Sequence, residues 1–306
     1  MGVLVVGSVA LDSVKTPFGE APDALGGSAS YFSVAARHFA PVAMVAVVGE
    51  DFPQHHIDFF RARDIDTSGL EVAPGRTFRW SGEYGHDFNT RRTLDTQLNV
   101  FAAFQPRLSA QHRRARHVFL ANIHPELQAA VLDQVERPDL VVLDTMNFWI
   151  QGSREALVDT LGRVDIVLLN DEEVRMLTGE AHLVRAARRV MEMGPPMVII
   201  KKGEHGALLL TREFAFSAPA YPIEEIHDPT GAGDTCAGGC RGYLASPAEW
   251  REGAESRPAA DSADAVPGDG FARDANGLTS LRAAIMEANA SAGADVILLG
   301  AGTYAL

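Results

Sequence analysis

The stretch His227-Asp228-Pro229-Thr230-Gly231-Ala232-Gly233-Asp234-Thr235-Cys236-Ala237-Gly238-Gly239, HDPTGAGDTCAGG, decides how the rest of the chain is read. Glycines at 231 and 233 make a turn, and small, helix-compatible residues follow it. Such a turn leaves backbone N–H groups open at the start of the next helix, where the macrodipole adds partial positive charge, and the combination attracts anions. A carboxylate at Asp234 is out of place in a passive phosphate cradle. It fits if the anion is a phosphoryl group in transfer and the acid accepts the proton of an attacking hydroxyl. An Asp that merely caps a helix behind a Gly-rich turn is the alternative, and this stretch alone leaves the two level.

The remainder of the chain is long enough, at 306 residues, for one large α/β domain or two modest ones with a packed core. Its 46% hydrophobic content is ordinary for a globular protein. A formal charge of -13 argues against nucleic acid or an anionic membrane as partner, because both select a basic face. Small anionic ligands are not excluded, since local amides and a few lysines outweigh a distant net charge. Cys236 and Cys240 are too few for a disulfide scaffold and read as small packing residues of a reducing compartment. The N-terminal MGVLVVGSVALDSV lacks a basic leader region and breaks at Gly7, so it reads as a first strand. No run approaches the ~18 apolar residues of a membrane span. The expected location of residues 1–245 is therefore the cytoplasm.

Short aliphatic runs recur at 3–7, 42–49, 117–122, 140–144, 166–170 and 197–201. Separated by helical stretches such as Ser28 to Phe39, Pro125 to Val135, Arg154 to Leu161 and His182 to Met193, they predict an α/β fold with one doubly wound, mostly parallel sheet flanked by helices. Residues 10–25 and 76–100 break the alternation, being rich in Thr, aromatic and charged residues with a partial period of two. Two such excursions from one domain predict a small β lid over a cleft, and lids exclude water during phosphoryl transfer.

With the Gly-Ala-Gly-Asp turn placed after this series of units, residues 1–245 resemble the ribokinase-like (PfkB) family of carbohydrate and nucleoside kinases. The likeness rests on motifs in order: GSVALD ending in Asp12, Gly26-Gly27, VVGEDF (47–52), DIDTSGL (64–70), LNDEEVRMLTG (169–179), IKKGEHGALL (200–209) and DPTGAGD (228–234). It implies transfer of the ATP γ-phosphate to a hydroxyl of a sugar or nucleoside, with Asp234 as base and the amides of Gly231, Ala232 and Gly233 as anion hole. It also implies that Asp12, Gly26 and Gly27 bind the substrate, joined by Asn147 of DTMNFW (144–149) lining the cleft. Lys202, Gly203, Gly206 and Thr230 would bind nucleotide, and Asn170 with Glu173 would organise magnesium through water. In some members of that family a monovalent cation, K+, lies near the positions of Asp228 and Thr230.

The partners so implied are a small sugar or nucleoside, with sugar favoured, and a second copy of the chain paired through the lid. Residue-level alternatives stand beside these roles. Asn170 and Glu173 at i and i+3 also spell a helix capping box, Lys201 and Lys202 also read as a solvated strand end, and Asp12 with Gly26-Gly27 as plain turn chemistry. The absence of GxxxxGK[ST], GxSxG and of GxGxxG after the first strand removes support for P-loop, α/β-hydrolase and dinucleotide readings.

From Ser246 the composition shifts. Residues 246–277 are dense in Ala, Asp, Glu, Pro and Gly and read as a disordered linker. Residues 278–306 read as a short α/β appendage in which Thr279 to Ile285 resemble the CSLREA-type segment ahead of extracellular β-helix domains. Relative to the family the kinase domain reads as C-terminally truncated, so two functions stay open: an active kinase, or a non-catalytic sugar- or nucleoside-binding remnant of a chimeric gene.

Overall fold

The computed structural model describes residues 2–86, 91–222 and 226–245, so the expected linker and appendage (246–306) lie outside the described residues. The chain opens with β1 (Val3–Val6) and runs out through β2 (Ala10–Thr16) and β3 (Gly19–Gly26) before α1 (Ser28–Arg37). It returns through β4 (Val42–Gly49), α2 (Gln54–Arg61) and β5 (Ile65–Ala73), then leaves again as β6 (Arg79–Tyr84) and β7 (Arg91–Gln97). The second half alternates β8 (His117–Leu120), α3 (Pro125–Leu132), β9 (Leu140–Asp144), α4 (Asn147–Gly152) and α5 (Arg154–Leu161). It continues with β10 (Ile166–Asn170), α6 (Asp171–Thr178), α7 (Leu183–Glu192) and β11 (Met197–Lys201). The hairpin β12 (Ala207–Leu210) and β13 (Ala215–Ala218) and the helix α8 (Ala232–Leu244) complete the described fold.

Nine strands form one sheet in the order β13-β12-β11-β10-β9-β8-β1-β4-β5. All neighbours from β11 to β5 pair in parallel, while β12 and β13 attach antiparallel at one edge. The aliphatic runs of β1 and β4 are buried along their whole length, because a parallel sheet is covered on both faces. Alternation along β1 divides the core: Val3 and Val5 point into a layer with Phe32 of α1, Phe60 of α2 and Ala237 of α8. Leu4 and Val6 point into the other layer, with Val131 of α3, Leu157 of α5, Val174 of α6 and Val190 of α7. The doubly wound, helix-flanked sheet is therefore as expected.

The two excursions meet in a second, four-stranded sheet of order β3-β2-β6-β7, in which β2 and β6 run parallel. Helices α1 and α8 lie in backbone contact: a Cβ on Gly238 would fall onto the Phe32 carbonyl, and one on Gly242 would lie 2.7 Å from the Ala36 carbonyl oxygen. Arg241, also on α8, is buried and donates from Nη2 to the Leu140 carbonyl at 3.0 Å, tying the helix to β9. Among the described residues no helix is long and apolar enough to cross a membrane.

Candidate active site

In an open α/β sheet, ligands bind beyond the carboxyl ends of the strands, where the chain order reverses. Here the reversal falls between β1 and β8. Three neighbouring strands finish on functional side chains: β9 on Asp144, β10 on Asn170 and β11 on Lys201. The Lys201 ammonium crosses β10 and donates to both oxygens of Asp144, at 2.9 and 3.1 Å. The two side chains are 17% and 3% exposed, so Lys201 is no solvated strand end. Burial alone would lower the lysine's pKa, but the charges of Asp144, Glu173 and Asp234 override it and hold the ammonium above its usual range. Gln128, fully buried on α3, donates from Nε2 to the carbonyls of Ala121 (2.9 Å) and Asp144 (3.0 Å), fastening the ends of β8 and β9 together.

Asn170 is the N-cap of α6. Its side chain accepts from the Glu173 N–H, and the Glu173 carboxylate accepts from the Asn170 N–H, each at 2.7 Å. The capping box expected as an alternative is thus present, and it buries the Glu173 carboxylate at the end of β10. Among the described residues no three His, Cys, Asp or Glu side chains converge at metal-ligating distance.

The Gly-rich turn leads into α8. Gly231 is the N-cap, left-handed at φ 76°, and a Cβ there would fall into the Tyr31 ring of α1. Of the three amides expected to hold an anion, that of Ala232 donates to the Pro229 carbonyl at 3.2 Å. The place of a Cβ on Gly233 lies 3.3 Å from the Lys201 Nζ, so the ammonium sits against the turn. Asp234 stands in the first turn of α8, half-buried. Burial, reinforced by the charge of Asp144 and then of Asp12 and Glu173, pushes its carboxyl up to about 7, against the opposing pull of Lys201. Helix α8 also carries Cys236 and Cys240, both half-buried with thiols pushed up by burial.

On the other side, Asp12 lies on β2, opposite Ala24 of β3 and Trp80 of β6, and is 6% exposed. A Cβ on Gly26 would occupy the space of the Asp12 carboxylate. Gly27, at φ 93°, starts α1, and the start is pinned to Ser8 by Ala29 N–H to Ser8 O at 2.9 Å and Ser28 N–H to Ser8 Oγ at 3.1 Å. The phenol of Tyr31, one turn further, is raised above its usual range by burial and by the charges of Asp12, Asp228 and Asp234. Asp12, Asp144, Glu173 and Lys201 thus all act electrostatically on Asp234.

The second sheet, which carries Asp12, also meets the segment ahead of α8. The Thr230 hydroxyl donates to the Tyr84 phenol oxygen at 3.3 Å, and the Phe18 and His227 rings lie 5.4 Å apart. Thr230 N–H is in turn held by Asp228 Oδ1 at 2.8 Å. Lys202, Gly203 and Gly206 form the turn after β11, closed by Lys202 N–H to the Gly206 carbonyl at 2.7 Å. Asn147 opens α4, and its side-chain bond stays inside that helix, to Phe148 N–H at 2.9 Å. Sequence reasoning did not single out Asp144, Lys201, Tyr31 or Tyr84 as a set. A charged residue closing each of two parallel strands was the available signal for the first pair.

The family profile described as pfkB family carbohydrate kinase matches residues 23–256. A cytidine kinase of Thermococcus kodakarensis is 30% identical over 244 residues, covering 78% of this chain and 87% of that protein. Among solved structures, the nucleoside kinase of Methanocaldococcus jannaschii superposes with a TM-score of 0.64 at 19% identity, over 80% of this chain and 85% of that one. A putative ribokinase II from E. coli, in complex with ATP and Mg2+, gives 0.61 at 23% identity, over 78% and 84%. These likenesses agree with the α/β architecture and with the ordered motifs, and the chain belongs to the PfkB family of carbohydrate kinases.

Proposed function

We propose that Asp234 is the general base of an ATP-dependent phosphotransferase, taking the proton of an acceptor hydroxyl as that oxygen attacks the γ-phosphorus. A general base works best with a pKa near the operating pH, and a half-buried carboxyl at about 7 directly behind the Gly231 turn is the observation that carries this role. The N–H groups of Gly231 and Gly233, and that of Ala232 once it leaves the Pro229 carbonyl, would hold the charge developing on the phosphoryl oxygens. Asp12 would accept hydrogen bonds from the acceptor's hydroxyls, with Gly26 and Gly27 letting backbone approach it and Asn147 lining the same cleft. The turn of Lys202, Gly203 and Gly206, with Thr230, would border the nucleotide.

Glu173 and Asn170 already bond to one another, so they suit magnesium held through its waters. Bound there, the ion would neutralise the nucleotide's phosphate charge. Asp228 and the Thr230 hydroxyl offer hard oxygen donors to a monovalent cation such as K+, which would order the same turn. The second sheet would act as the lid, and its exposed Phe18 and Leu94 (66% and 49%) would be covered by a second copy of the chain.

The acceptor class is a nucleoside or sugar. The cytidine kinase relative supports a nucleoside, whose ribose supplies the hydroxyls Asp12 would need. The test is ADP release from the purified chain with ATP and magnesium against a panel led by cytidine and including ribose and other free sugars. Acceptor-dependent turnover is expected, with Asp234→Asn folding normally and turning over at less than about 1% of wild type, as loss of a positioned base requires. Turnover by Asp234→Asn near the wild-type rate removes Asp234 from the role.

A further inference from the structure

Beside Lys202, which is among the expected nucleotide contacts, its neighbour Lys201 also carries an ammonium into the site. Lys201 Nζ lies 3.3 Å from the position a Cβ would take on Gly233 and donates to Asp144 from the floor of the cluster. Around it stand Asp144, Glu173 and Asp234. A cation so surrounded is held charged and aimed at the turn by side chains that are themselves fixed. Asp144 is buried, its carboxylate also accepts from Thr145 N–H at 2.9 Å, and its backbone is clamped by Gln128. A surface strand end would need none of this.

We propose that Lys201 is a further catalytic residue that contacts the γ-phosphoryl group during transfer, with Asp144 as the positioning residue that holds the ammonium at the Gly-rich turn. This rests on the kinase reading above. When the phosphoryl group arrives, Lys201 keeps one N–H on Asp144 and turns another to a non-bridging phosphoryl oxygen. An ammonium has three donors on one point charge and can serve both partners at once. The contact adds a full positive charge to the partial charges of the backbone dipoles, on the atoms whose negative charge changes during transfer.

The test compares Lys201→Met, Lys201→Arg and Asp144→Asn with wild type by calorimetric titration with Mg-ADP and with the non-hydrolysable triphosphate analogue AMP-PNP, together with steady-state turnover. Lys201→Met should bind ADP as wild type does, lose about tenfold or more in affinity for the triphosphate analogue, and fall at least about a hundredfold in kcat, the range for removal of one such charge donor. Lys201→Arg should recover part of kcat, and Asp144→Asn should reduce kcat with unchanged ADP affinity. If Lys201→Met keeps the wild-type ratio of triphosphate to diphosphate affinity and the wild-type kcat, the proposal is overturned while the kinase reading stands. If the wild type binds both nucleotides but phosphorylates no acceptor, the kinase reading fails, and the affinity ratio in Lys201→Met still decides the lysine's contact. Should Lys201→Met not fold, the same ratio measured in Asp144→Asn and Lys201→Arg decides, an unchanged ratio in both overturning it.

Discussion

Thr230 and Tyr84 are 146 residues apart in sequence and joined by one hydrogen bond of 3.3 Å, donated by the threonine hydroxyl, which links the second sheet to the turn ahead of α8. Tyr84 is itself buried, so its phenol oxygen meets the turn from a fixed place on β6. Tyr84→Phe keeps the ring and removes the acceptor. One such bond is worth about 0.5–1.5 kcal/mol net, so kcat/KM for the acceptor should fall about two- to twelvefold with little change in thermal stability. Steady-state kinetics read this directly, and an unaltered kcat/KM means that the contact has no part in turnover.

The pH dependence follows from Asp234. The base must be deprotonated to act, and burial with the Asp144 charge places its carboxyl at about 7, so kcat/KM should rise tenfold per pH unit below that value and level off above it. Asp144→Asn removes the neighbouring negative charge and should move this limb to lower pH. A limb that stays in place argues against coupling between the two carboxylates.

The same elevation has a signed effect on stability. A carboxyl raised in the folded state keeps its proton there over a range in which the unfolded chain has released it, so wild-type stability declines as pH rises from about 4 to about 7. Asp234→Asn lacks that titration. Its melting temperature relative to wild type should therefore climb across this window and stay constant above it, which differential scanning fluorimetry in a pH series measures. A difference independent of pH would mean that Asp234 titrates normally.

Glu173 carries a helix cap and a proposed magnesium role, and these separate on substitution. Glutamine serves a capping box as well as glutamate does, so Glu173→Gln should melt within a degree or two of wild type. Loss of the charge should raise the half-saturating magnesium concentration about tenfold or more, in the range known for outer-shell metal partners. A magnesium titration of turnover that overlays wild type would leave Glu173 with the cap alone.

Gly242 sets two effects of opposite sign against each other. Alanine is favoured over glycine inside a helix by about 1 kcal/mol. Its methyl would lie 2.7 Å from the Ala36 carbonyl oxygen, a backbone atom that cannot move alone. The steric effect should win, and Gly242→Ala should destabilise by about 1–3 kcal/mol in denaturant titration. Equal or greater stability would show that α1 and α8 can part without penalty.

The central sheet was legible because parallel strands buried on both faces must be written as unbroken aliphatic runs, and residues 42–49 become β4 residue for residue. Helix limits were less so. Ser28 does begin α1, but the helix stops at Arg37, before Phe39. β5 escaped notice because an edge strand is half exposed, and IDTSGLEVA mixes polar with apolar positions accordingly. The hairpin of β12 and β13 was hidden by its brevity. Asp12, Asp234 and Glu173 could be named from local motifs. The partnership of Asp144 with Lys201 could not, since 57 residues separate them and only the strand order sets β9 and β11 on either side of β10.

The turn at Gly26-Gly27 opens α1, the turn at Gly231 opens α8, and the two helices touch backbone to backbone at Gly238 and Gly242. Acceptor and donor would therefore be gripped by the jaws of a caliper whose bar does not slide. The spacing of Gly27 and Gly231 would stay constant, whereas Asp12 on β2 would travel with the second sheet. Acceptors would then be selected by the distance from a hydroxyl anchored at Asp12 to the one that reacts, a length completed only when the second sheet sits over the two helix starts.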